Sequence, residues 1–133
     1  MKKIWRIRGA RAAHAKVDDF SAARVLQALE RLADERYKPT LVAYDPLGLF
    51  NQKVDYRTKR FQRFFYLISV YRTPERDGVA TEFDSPVARL EFTGSLHFNL
   101  AWQRHNEQWI TLYHGQTLEE CVESIRSDPF FEP

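Results

Sequence analysis

Apolar residues in the first third of the chain recur at helical spacing. Ala22, Val25, Leu26, Leu29, Leu32 and Ala33 fall three and four apart, so a helix from Asp18 to Tyr37 carries them as one stripe. Asp18, Asp19 and Ser21 are N-cap candidates, and Pro39 closes the far end. Residues 39–51 hold two Pro and one Gly and read as an irregular connection. Beyond them the period drops to two. Residues 52–57 alternate, with Val54 and Tyr56 on one side, and Thr58 to Arg60 reads as a polar turn. Residues 61–72 are rich in β-branched and aromatic residues and apolar on both faces from Phe64 to Tyr71, the pattern of a central strand. Residues 73–86 read as a loop, and strands follow over 87–92, 96–104 and 108–114. Thr117-Leu118-Glu119-Glu120 fits a capping box opening a last helix, with Leu118, Val122 and Ile125 as its stripe and Pro129 after its end.

An N-terminal helix, an antiparallel meander of about five strands and a C-terminal helix make an α+β fold. No strand–helix–strand alternation points to a parallel sheet. No linker or repeat divides the chain, so residues 17–133 read as a single α+β domain preceded by an arm, residues 1–16.

Strand register carries more consequence than strand existence, because a slip of one residue moves every side chain to the other face. A turn centred on His105-Asn106 pairs Trp102 with Trp109 and Phe98 with Tyr113. A three-residue loop, Thr93-Gly94-Ser95, pairs Phe92 with Leu96, Leu90 with Phe98 and Ala88 with Leu100. These expectations put Ala88, Leu90, Phe92, Leu96, Phe98, Leu100, Trp102, Trp109 and Tyr113 on one apolar face. The opposite face then carries Arg89 beside Asn99, and Glu91, His97 and His114 in a row across three strands.

Composition narrows the class. In 133 residues, 44% are hydrophobic and 29% charged, near globular averages. Aromatics reach 14%, which favours a β-rich core. No apolar run approaches the ~18 residues of a membrane span. One cysteine, Cys121, leaves no intramolecular disulfide, which fits a reducing compartment. The first residues lack a secretory signal pattern, so the expected location is cytoplasmic. Charge is unevenly spread. Lys2, Lys3, Arg6, Arg8, Arg11 and Lys16 lie in residues 1–16 with no acid, so with a chain total of +2 the remainder carries −4. A basic arm of this kind can meet phosphate or stay solvated with Ile4, Trp5 and Ile7 tucked against the domain.

Three chemistries compete. Glu91, His97 and His114, as neighbours on adjacent strands, could ligate a divalent metal or act as an acid–base group; as a bland alternative they are polar residues on a half-wet face. Lys53, Arg57, Lys59, Arg60 and Arg63 interleave with Tyr56, Phe61 and Phe64, as in proteins that stack and neutralise single-stranded nucleic acid; the arm residues Lys2, Lys3, Arg6 and Arg8 would join them. Against this, the segment also reads as a solvated turn with its aromatics in the core. Cys121 sits beside an apolar stripe and reads as packed. Neither a GxSxG nucleophile motif nor a glycine-rich phosphate loop occurs.

The stretches Pro86-Val87-Ala88-Arg89-Leu90-Glu91-Phe92, Asn99-Leu100-Ala101-Trp102-Gln103-Arg104, Gln108-Trp109, and Thr117-Leu118-Glu119-Glu120 before Asp128 resemble a small bacterial family known as domain of unknown function 3024. The resemblance runs from Phe20 to Phe131. It implies the same helix–meander–helix architecture and a bacterial origin, and it assigns no activity or site residue. Ile110 and Thr111 depart from the more polar, His-containing sequence expected after Trp109.

The leading expectation is a small binding protein that performs no chemistry, needs no cofactor and acts through an unknown protein partner, with no membrane role. The alternatives are a nucleic-acid-associated protein using the basic residues above, and a metal-dependent enzyme built on Glu91, His97 and His114. A homodimer is a further expectation, since a meander has two open edges.

Overall fold

A computed structural model describes residues 16–133. The arm residues Lys2, Lys3, Arg6 and Arg8 lie outside it. Helix α1 spans Asp19–Leu32 and continues through one wider turn, Ala33–Tyr37, and a 3-10 turn, Lys38–Thr40. Strands β1 (Gln52–Phe61), β2 (Phe64–Arg72), β3 (Glu82–Gly94), β4 (His97–Gln103) and β5 (Trp109–Gln116) form one sheet in chain order, all neighbours antiparallel. Helix α2 (Leu118–Ser127) and a 3-10 turn, Pro129–Phe131, complete the α+β fold.

The helix ends are set by side chains. The Asp18 carboxylate accepts from the Ser21 amide at 2.8 Å and the Ser21 hydroxyl at 2.9 Å. The Thr117 hydroxyl accepts from the Glu120 amide at 3.2 Å, while the Glu120 carboxylate accepts from the Thr117 amide at 2.9 Å, the reciprocal capping box. Both helices lie on the same face of the sheet. There Val25, Leu29 and Leu32 of α1 and Cys121 and Ile125 of α2 close over Phe65, Leu67, Leu90 and Leu100. Each large apolar side chain so covered stabilises the fold by roughly 1.5–3 kcal/mol. The Tyr37 hydroxyl donates to the Phe131 carbonyl, tying the end of the first helical segment to the C-terminal turn. Burial pushes the Tyr37 phenol up to about 12.

Several expected boundaries move. β1 runs on through Thr58, Lys59 and Arg60, and the turn falls at Gln62, whose φ is +55. Arg60 is polar yet strand-compatible because its guanidinium, 5.8 Å from the Phe65 ring, donates to the Val17 carbonyl at 3.2 Å and the Gln62 carbonyl at 2.8 Å. β3 starts at Glu82 rather than Val87, held by the Arg72–Glu82 ion pair at 2.5 Å and the stacked rings of Tyr71 and Phe83. Pro86 sits inside β3 beside the irregularity between Leu67 and Ile68, where a missing N–H is tolerated.

Both hairpin registers differ from expectation, with unequal consequences. Between β3 and β4 the turn is the two-residue Ser95-Leu96, both at positive φ (52 and 59). It pairs Phe92 with Phe98 and Leu90 with Leu100. That slip of two leaves the core faces intact and moves only Leu96 out to solvent. Between β4 and β5, Glu107 takes φ +67 and lengthens the loop by one residue, so Gln103 pairs with Trp109 and Trp102 with Ile110. That slip of one puts the two indoles on opposite faces. Trp102 stays on the helix side, 4.6 Å from the Phe130 ring, and Trp109 turns to the other side. A further irregularity between Leu100 and Ala101 returns Tyr113 to the helix side, where its hydroxyl donates to Asp128 at 2.7 Å.

Candidate functional site

Among the described residues, no helix covers the second face of the sheet, which is organised around cations and rings. β2 contributes Phe64 and Tyr66, β3 contributes Arg89 and Glu91, and β5 contributes Trp109; Lys59 and Arg57 flank them on β1. Trp109 reaches across β4 because the residue beneath it is Ala101, only 1% exposed. The indole ends 5.9 Å from the Tyr66 ring. Between Trp109 and Phe64 lies the Arg89 guanidinium, 4.7 Å from one ring centroid and 4.8 Å from the other. The Arg63 guanidinium covers Phe64 at 4.7 Å, and the Lys59 ammonium stands 5.9 Å from Tyr66. The order Trp109, Arg89, Phe64, Arg63 is thus ring, cation, ring, cation. Each cation–ring contact is worth about 0.5–1 kcal/mol where exposed and up to ~2 where desolvated.

Charge on this face is partly spent. Arg63 pairs with Glu91 at 3.1 Å, and Arg57 pairs with Asp84. Among the described residues, neither Lys59 nor Arg89 has a carboxylate within ion-pair distance, and the Arg89 Nε is buried without a hydrogen-bond partner. The face therefore keeps two uncompensated cations beside three half-buried rings.

The sequence candidates distribute as follows. Of the basic run, Arg57, Lys59 and Arg63 reach the uncovered face. Lys53 lies across from Tyr71 with its ammonium 5.6 Å from the core Tyr56 ring, and Arg60 turns to the helix side. Glu91, His97 and His114 do not form a row. Glu91 lies opposite Asn99 and engages Arg63, His97 sits opposite Gly94 beside the turn, and His114 is exposed. The irregular stretch of β5, where Gly115 (φ +65) donates its amide to the Asn99 side chain at 3.1 Å, breaks the alignment that the expected register required. Among the described residues no three His, Cys, Asp or Glu side chains converge as metal ligands would. Cys121 is fully buried, and desolvation pushes its thiol up to about 12, far from the thiolate that nucleophilic chemistry needs.

Tyr66, Arg89 and Trp109 join this face from outside the sequence candidates. For Arg89 a signal exists, since it alternates with core Ala88 and Leu90. Trp109 offers none, because its face depends on whether Glu107 adopts positive φ.

The model of a domain of unknown function, DUF3024, matches residues 17–132, nearly the whole chain, and the chain belongs to that family. No curated protein and no solved structure matches it.

Proposed function

We propose that this DUF3024 member is a non-catalytic binding protein and that its ligand is single-stranded nucleic acid laid across the uncovered sheet face. The observation that carries this reading is the alternating stack Trp109–Arg89–Phe64–Arg63, with Lys59 and Tyr66 beside it. Rings on an exposed sheet are stacking platforms for unpaired bases, and adjacent cations neutralise phosphates. A base is planar like a guanidinium. It can take the place of Arg89 between Phe64 and Trp109, and the freed guanidinium then reaches a phosphate. Lys2, Lys3, Arg6 and Arg8 would add phosphate contacts from outside the described residues.

Fluorescence anisotropy with a labelled ten-nucleotide oligo(dT) or oligo(U), measured at two salt concentrations, tests this. Two phosphate contacts, from the uncompensated Lys59 and Arg89, give a log–log salt slope of about −1.4. Trp109→Ala and Arg89→Ala each weaken binding about tenfold or more, at ~1–3 kcal/mol per stacked base. Arg60→Ala, on the helix side, leaves it unchanged. Binding that is absent at low salt, or indifferent to Trp109→Ala and Arg89→Ala, overturns the reading.

A further inference from the structure

A second surface lies at the far end of the sheet, and the inference from it is independent of the ligand reading above. The connection between the first helical segment and β1 exposes Val42, Leu47, Leu49 and Phe50, each between 78% and 86% accessible. Val79, in the loop between β2 and β3, and Phe83, at the start of β3, add to the same end. Two contacts join the loops: the Glu75 amide donates to the Pro46 carbonyl at 2.9 Å, and the Tyr44 hydroxyl donates to the Thr73 carbonyl at 2.7 Å. Six of the large apolar side chains exposed in the described residues therefore share one end of the molecule.

This end is held rigid. Asp45 to Gly48 closes as a turn, the Gly48 amide donating to the Asp45 carbonyl at 3.1 Å. Gln52 clasps the turn from both sides, its Oε1 accepting from the Asp45 amide at 2.8 Å and its Nε2 donating to the Asp45 carbonyl at 2.7 Å. Gly48 is required by that clasp, because a Cβ there would stand 2.6 Å from the Gln52 Nε2. A preformed apolar surface binds without an ordering cost, and large apolar side chains gathered at one exposed end mark interaction sites.

We propose that this surface is a two-fold contact with a second copy of the same chain. Two observations select that occupant. Covering the six side chains removes on the order of 700 Å² per copy, close to the ~800 Å² each partner contributes to a stable interface. The charged residues around the patch are of both signs and nearly balanced, Asp45, Glu75, Asp77 and Glu82 against Lys53, Arg72 and Arg76. A rim with one excess acid offers little to a phosphate backbone or an anionic membrane, whereas its mixed signs can complement themselves across a two-fold axis. The surface is distinct from the β1 edge. The stacked rings lie at the other end of β2, eight residues away or roughly 26 Å at strand rise, so both remain free in the dimer.

Sedimentation velocity on the full chain from about 2 to 200 µM tests this, a range that brackets micromolar affinity. The expected result is a shift with concentration from the 15.8 kDa monomer to twice that mass. Leu47→Asp with Leu49→Asp, and separately Phe50→Asp, weaken the dimer at least about 100-fold while circular dichroism stays unchanged. Phe20→Asp, on an equally exposed apolar residue of α1, does not. A single monomeric species throughout, a dimer that survives both patch variants, or a dimer lost equally with Phe20→Asp overturns the proposal.

Discussion

The two faces of one sheet use aromatic residues for opposite ends. On the helix side, Phe65 and Phe98 meet edge to face at 6.4 Å, Trp102 rests on Phe130 at 4.6 Å, and Phe65 and Phe98 are buried. On the uncovered side, Phe64, Tyr66 and Trp109 stay half-exposed and take guanidinium and ammonium groups as neighbours. The same residue type, one position apart in β2, is therefore a packing element as Phe65 and a platform as Phe64. Apolar area decides the first use, because each hidden ring is removed from water. Ring electrostatics decides the second, because a half-wet ring is covered well by a cation whose charge still faces solvent.

Substitution can break this contrast. Phe65→Ala should cost about 3–5 kcal/mol by chemical denaturation, whereas Phe64→Ala should cost about 1 kcal/mol and lower nucleic-acid affinity instead. Equal destabilisation by the two would mean that the uncovered face is core. Ala101→Leu should cost about 1–3 kcal/mol, since the added atoms meet the indole of Trp109, and should weaken oligonucleotide binding along with stability. Thr117→Ala, which removes the cap of α2 on the helix side, should cost about 1 kcal/mol and leave binding unaltered.

A pH effect sharpens the comparison at the small end. The Cys121 thiol and Tyr37 phenol are both raised, chiefly by burial under the helices, to about 12 from 9 and 10. The unfolded chain deprotonates first, so their contribution is intact below pH 9 and is lost as pH rises from 9 towards 12. The melting temperature should hold from pH 7 to 9 and fall above, with a shallower fall at pH 9–10 in Cys121→Ala.

Much of the architecture is legible in the residues. The stripe Val25, Leu29, Leu32 and the Thr117–Glu120 box state the helices, because caps and 3.6-residue spacing are local. The uncovered face is less legible. Its composition depends on Glu107, an ordinary residue held at positive φ without the Asn-Gly or Asp-Gly signal that announces such turns. One extra residue at Glu107 turned Trp109 outward, and the irregular stretch of β5 at Gly115 separated His97 from His114. The basic run 53–63 was readable as a cluster, but not as divided between two faces, since its expected turn at Thr58–Arg60 hid the continued alternation of β1.

Two of the chain's three indoles, those of Trp102 and Trp109, give the most direct test of the central claim, that the uncovered face is where the protein binds. An oligo(U) titration followed through the indole Nε1–H signals of the full chain should move and broaden Trp109, together with the amides of Phe64, Tyr66 and Arg89. Trp102, behind the sheet, should stay still. Movement of Trp102 with Trp109 unmoved, or no movement of either at saturating oligonucleotide, contradicts the account.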